Sequence, residues 1–249
     1  MSERGGRGHR GVGLIVGVGI VVLLAVGIVV ADASLRAYAQ DRARSEIEAA
    51  LPSTVTGDVS VQIGGFSFLQ QYLAGRFDTV TLDAPSLVVD GSPVAVSVTA
   101  GGVPTDLAQP VDRLTATLAL DQDAVNSFVT VPGSATLTLD DQAVGYDGSV
   151  SFLGLGIDYL VTAGVSVTAD SVVLAPKTAT LANGSSVVDL STPLQAVLDQ
   201  PIPVCIANQL PRGVELTGLD VTPGRAMVTA SATDFVLDKT SLSTTGVCP

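Results

Sequence analysis

Residues 11–31 read GVGLIVGVGIVVLLAVGIVVA, an apolar run without a single charge. At about 1.5 Å of helical rise per residue, such a run reaches about 30 Å, the thickness of a bilayer's hydrocarbon core. The residues before it carry Arg4, Arg7 and Arg10 against Glu3 alone. Positive flanks stay on the cytoplasmic side, so residues 32–249 are expected outside. Residues 1–10 then form a basic cytoplasmic tail and 11–31 a membrane segment. Two fates fit that segment. Its length favours a retained single-pass anchor over a signal peptide, whose apolar region is shorter. Ala31-Asp32-Ala33 nevertheless has the small-x-small form of a cleavage site. No cysteine directly follows the run, which argues against lipoprotein processing. Both fates export the domain.

The exported part excludes several function classes. Setting aside Arg4, Arg7, Arg10 and Glu3 from 12 basic and 24 acidic residues leaves 9 and 23, a net charge of −14. A nucleic-acid binder needs a basic footprint, and this chain has none. Attraction to an anionic membrane surface is also disfavoured, so any lipid must be held chiefly by burial of its acyl chains. The single histidine, His9, precedes the apolar run, and there is no tryptophan. That removes histidine-based acid–base, nucleophilic and metal chemistry. Asp121-x-Asp123 lacks the further acids and the glycine of a calcium loop and reads as a helix cap. Carboxylates are plentiful, but they fall at turns and on polar strand faces, and the aromatics that stack sugars are scarce. The chain is therefore expected to be no enzyme, with no cofactor and no metal. Cys205 and Cys248 lie in the exported part, where disulfides persist, and their simplest pairing is with each other. The closed loop of about 44 residues corresponds to roughly 4 kcal/mol of chain-entropy stabilisation.

After the apolar run, residues 33–51 predict an amphipathic helix with Leu35, Ala39, Ala43 and Ile47 on one stripe, ended by Pro52. Whether it continues the membrane helix is open at this level. From Val55 onward the period is two. Residues 55–63 and 77–90 alternate, Gly91-Ser92 turns into residues 94–100, residues 101–110 read as a loop, and in residues 111–120 Leu114, Ala116, Leu118 and Leu120 share a face opposite Arg113, Thr115 and Thr117. Residues 121–131 predict a short helix with Val125, Phe128 and Val129 as its apolar side. Further strands follow at 135–139, 143–152, 157–168 and 172–181. Residues 187–200 predict a helix bearing Leu190, Leu194, Val197 and Leu198. A final hairpin, 214–221 and 226–236, turns at Pro223-Gly224. Runs of strands with few helices argue for an α+β fold built on a curved antiparallel sheet with short inserted helices.

One stretch stands out, residues 63–84, IGGFSFLQQYLAGRFDTVTLDA. It holds three of the chain's six phenylalanines and one of its four tyrosines. Alternating strands enter and leave it, and between them Phe68-Leu69 and Tyr72-Leu73 recur at helical spacing. Two readings stay open: a sheet corner whose aromatics fill the core, and the apolar mouth of a binding cavity.

These residues resemble the signature of the LmeA-like phospholipid-binding family of actinobacterial envelope proteins, in which a G-F-P-F-L segment is followed by L-A-G-R and an alternating strand. Gly65, Phe66, Phe68, Leu69, Leu73, Ala74, Gly75 and Arg76 match, with Ser67 in place of the proline. The C-terminal block PIPVCIANQLPRGVELTGLDVTPGRAMVTASATDFVL and the Asp121–Phe128 segment, with Asn126, are similar to the family's ending and to its D-L-N-x-L helix. The resemblance implies an envelope protein that binds phospholipid, phosphatidylinositol-type lipids among them, and that is linked to lipoglycan biogenesis. It also implies a tubular lipid-binding-like fold, a long helix held in a strongly curved sheet. The candidate lipid-contacting residues are Phe66, Phe68, Leu69, Tyr72, Leu73 and Phe77, with Phe128 and Leu198 as further walls and Arg76 as the one cation for a phosphate. Pairing of Arg76 with Asp78 or another acid is the competing reading. A structural or interaction domain of the envelope without a lipid ligand is the alternative function.

Overall fold

The computed structural model describes residues 9–129, 136–152, 155–183, 186–189 and 200–248. Helix α1 runs unbroken from His9 to Ala50, so the apolar run and the amphipathic segment after it are one helix. Among residues with described side chains, which in α1 begin at Leu23, no helix is long and apolar enough to cross a membrane. The run Gly11–Ala31 lies for the most part ahead of them. The amphipathic half behaves as its period predicts. Ala43, Ile47 and Leu51 pack against Val59, Val61, Ala84 and Leu87. The outer side carries the i,i+4 ion pairs Arg42–Glu46 (2.9 Å) and Arg44–Glu48 (2.7 Å), solvent-screened pairs of the kind that exposed helix surfaces favour.

The larger sheet contains β1 (Val55–Thr56), β2 (Ser60–Ile63), β3 (Arg76–Val89), β4 (Ser92–Pro104), β5 (Pro110–Asp121), β12 (Glu215–Thr222) and β13 (Arg225–Val236). Its order is β1-β3-β4-β5-β13-β12, with β2 also on β3, and its pairs are antiparallel. The smaller sheet has β6 (Thr136–Asp140), β7 (Ala143–Phe152), β8 (Leu155–Val167), β9 (Ser171–Asn183), β10 (Ser186–Asp189) and β11 (Ile202–Cys205), in the order β10-β9-β8-β7-β6 with β11 also on β9. The fold is thus α+β as expected, but with two open antiparallel sheets. α1 packs along one edge of the larger sheet and is not enclosed by it. Two segments differ from their sequence reading. β4 extends to Pro104 through the expected loop, because Arg76 and Phe77 of β3 supply partners for Pro104 and Val103. Val187–Asp189 is strand, paired with Leu181–Ala182 and Thr180 of β9; residues 190–199 of that expected helix, Leu198 among them, lie outside the described residues.

Register gives the larger sheet one wholly apolar face. Directly opposed residues share a face, and three rows across the strands read Ile63-Val80-Ala100-Leu114-Ala232, Val61-Leu82-Val98-Ala116-Ala230-Leu216 and Ala84-Val96-Leu118-Val228-Leu219. The intervening rows are polar: Thr81-Thr99-Thr115-Ser231 and Asp83-Ser97-Thr117-Thr229. Three clusters cover parts of the apolar face. α1 covers its β2–β3 edge. Val103, Val111 and Phe235, with Phe77, close one end. At the other end Val125, Val221 and Ala226 pack with Leu137, Leu139 and Val144 of the smaller sheet. Cys205 and Cys248 form the expected disulfide, with Cα atoms 5.9 Å apart, and fasten the C-terminal segment to the strand that edges the smaller sheet.

Candidate functional site

The signature stretch folds as a corner between β2 and β3. Gly65 takes φ 88°, where a side chain is strained, and an added Cβ would clash with the Gln71 side-chain amide. Ser67 then caps helix α2 (Phe68–Ala74), accepting from the Gln70 N–H at 3.2 Å. Gly75, at φ 78°, ends the helix in the left-handed conformation and donates its N–H to Gln71 and Tyr72 carbonyls. Seven residues give two faces. The inner one holds Phe68, 7% exposed, and Gln71. Phe68 stacks on Phe77 with ring centroids 5.4 Å apart. Gln71 is a buried polar residue that is fully engaged: its Nε2 donates to the Gly64 and Ser67 carbonyls, both at 3.0 Å, and its Oε1 accepts from the Asp78 N–H at 2.7 Å. The outer face holds Leu69, Tyr72 and Leu73 at i, i+3 and i+4, exposed by 37%, 56% and 77%, and Phe66 beside them is 96% exposed.

A carboxylate from α1 clamps this corner. Asp32 accepts hydrogen bonds from Ser67 Oγ (2.7 Å), Leu69 N (2.8 Å) and Phe68 N (3.1 Å), and so occupies the positive end of α2. The Leu69 N–H above all, then the Ser67 hydroxyl, the Phe68 N–H and Arg36, hold its carboxyl below the ordinary 3.8, against partial desolvation. Arg36, one turn on, donates to the Gly65 and Phe66 carbonyls (3.2 Å each) and lies 3.5 Å from Asp32. Beside this clamp a cleft of about 450 Å³ is lined by Ile28, Val29, Ala33, Arg36, Ala37, Gln40 and Phe66. Neither Asp32 nor Arg36 was among the candidate site residues that the sequence suggests. Their i,i+4 spacing on a helix was visible, but nothing local marks a contact with residues 64–69.

The remaining candidates separate. Arg76 pairs with Asp112 and donates to the Pro110 carbonyl at 3.3 Å, so its acid partner belongs to β5 and is not Asp78. Phe77 is half-buried against the cluster at the near end of the larger sheet. Phe128 lies on helix α3 (Gln122–Phe128), capped by Asp121 Oδ1 accepting from Ala124 N at 2.8 Å. α3 sits where β3 ends, as the Ser92–Ser127 hydroxyl contact at 2.6 Å shows. At about 3.3 Å per residue along β3, that is about 40 Å from the corner. Phe128, 41% exposed, therefore shares no wall with Phe66 or Leu73.

The second apolar locus is the middle of the larger sheet. Val98, Ala116, Leu118 and Val228 are adjacent across β4, β5 and β13 and are only partly buried. For Ala116 and Leu118 the signal was present in the clean alternation of residues 114–120. What that alternation lacks is any indication of which strands lie alongside and how much of the face they leave uncovered.

Open sheets with a continuous apolar face, a long helix on one edge and an uncharged apolar corner define a module for apolar ligands. The chain belongs to the LmeA-like phospholipid-binding family, whose model matches residues 30–231. Neither a curated protein nor a solved structure matches the chain.

Proposed function

We propose that this protein is a membrane-tethered extracytoplasmic domain that holds phospholipid by its acyl chains, phosphatidylinositol-type lipids among them, in support of envelope lipid or lipoglycan biogenesis. The observation that carries the reading is the apolar face of the larger sheet. Three rows contain no polar side chain, yet Val98, Ala116, Leu118 and Val228 in their midst keep part of their surface uncovered. An acyl chain laid on that strip gains about 0.8 kcal/mol per buried methylene, so ten methylenes supply roughly 8 kcal/mol before the cost of association. Headgroup electrostatics are secondary in a chain of net charge −12. Ala116 and Ala230, opposed across β5 and β13, are the smallest side chains of the middle row. The tether rests on the uncharged run Gly11–Ala31, its basic flank and its place at the start of α1.

The test is lipid extraction and mass spectrometry of the purified chain, together with uptake of a fluorescent phospholipid. Stoichiometric co-purified phospholipid is expected, and Ala116→Phe, which fills the strip, should abolish uptake with the circular dichroism spectrum unchanged. A lipid-free chain that takes up no probe would favour the alternative, an envelope interaction domain without a lipid ligand.

A further inference from the structure

From Gly64 to Gly75 the chain carries no charge, in a protein with 24 acidic residues. The structure turns four large apolar side chains of that stretch, Phe66, Leu69, Tyr72 and Leu73, away from the core. An exposed apolar face on a folded domain marks a partner, and the position of this one says which. Asp32 and Arg36 bind the corner to α1 through five hydrogen bonds to Ser67, Phe68, Leu69, Gly65 and Phe66, immediately after the apolar run ends at Ala31. Phe66 moreover lines one cleft with Ile28 and Val29. Those residues lie two and three positions inside the run, about 3–5 Å along the helix axis.

We infer that the corner Phe66–Leu73 is seated in the extracytoplasmic leaflet of the bilayer that α1 enters. This rests on the tether proposed above. With Ala31 at the hydrocarbon boundary, a ring held level with Ile28 and Val29 lies in the leaflet and not in bulk water. Tyr72, an amphipathic ring on the same face, suits the headgroup level. The missing charges fit the same partner: an acidic domain avoids an anionic lipid surface unless the part that touches it is neutral. The corner thereby fixes the tilt of the domain over the membrane and brings the near end of the larger sheet to the lipid source.

Spin-label depth measurement tests this on the full chain in phosphatidylcholine vesicles. Both native cysteines are in the disulfide, so nitroxides attach only at introduced thiols: Phe66→Cys and Leu73→Cys at the corner, Leu23→Cys in the run, and Asp123→Cys on the distant helix α3. Phe66 and Leu73 project into open surroundings, so their replacement leaves packing intact. Labels at 66 and 73 should relax with oxygen more than with a water-soluble nickel chelate, as at 23, and the order should reverse at 123. Corner labels that behave like position 123 while position 23 stays lipid-exposed overturn the inference and leave the tether standing. A label at 23 that itself meets the nickel chelate removes the tether and the inference with it. Dipolar broadening between corner labels, without oxygen contact, assigns the face to a second copy and also overturns it.

Discussion

Phe68 and Phe66 stand two residues apart in one signature stretch and meet opposite surroundings. Phe68 is buried, with the rings of Phe77 and Tyr72 stacked at centroid distances of 5.4 and 6.2 Å. Phe66 has almost all of its surface open, with Leu73 exposed nearby. The two rings are chemically identical, so hydrophobicity alone cannot assign them. Their phase relative to a two-turn helix does, together with the clamp from Asp32 and Arg36 that sets which way the helix faces. The inner side is what holds the corner, and the outer side is free to serve a ligand or a surface.

That division can be broken by substitution. Phe68→Ala should cost roughly 3–5 kcal/mol in chemical unfolding followed by near-ultraviolet circular dichroism, since it empties a buried aromatic site. Gln71→Ala should cost about 1–3 kcal/mol, because the Asp78 N–H and the Gly64 carbonyl lose their partner inside the corner. An equal cost for Phe66→Ala would refute the contrast. Asp32 probes the clamp. Its folded-state carboxyl is lowered, so its contribution is present above the ordinary 3.8 and is lost as pH falls through the lower folded value. Amide exchange at Phe68 and Leu69 should accelerate across that acid window while β4 and β5 stay protected, and Asp32→Ala should produce the same local opening at neutral pH. Smallest of all, Phe66→Ala and Leu73→Ser should change stability by no more than about 0.5 kcal/mol, as exposed positions do.

The charges repeat the lesson. Arg76, the cation singled out beside the aromatics, is engaged by Asp112 across the sheet. Arg36, unmarked in the sequence, is the one that grips the corner. Both outcomes depend on residues more than 25 positions away in sequence, where local pattern carries no information. The same reason explains β4 running on to Pro104, where a neighbouring strand offers partners, and Val187–Asp189 choosing strand beside β9. A short apolar run is ambiguous between helix and strand until a partner settles it.

Much was nonetheless legible. Strand alternation from Val55 onward, the helix cap at Asp121 and stop at Pro52, and the turns at Gly91 and at Pro223-Gly224 all follow from local chemistry; the Cys205–Cys248 pairing followed from there being two cysteines in an exported domain, and the family from the resemblance of its motifs. Period two dictates that one face of β5 is aliphatic and the other rich in threonine, whatever lies alongside. Periodicity is a property of the backbone, and so the amino-acid order determined the elements, their apolar sides and the absence of histidine chemistry beyond the apolar run. Coverage is a property of neighbours. Only the tertiary structure decided that Val98, Ala116, Leu118 and Val228 stay partly open, and that Phe68 turns inward while Phe66 turns out. Burial depends on what packs against a residue from elsewhere in the chain, and that is set by register and docking rather than by the residue itself.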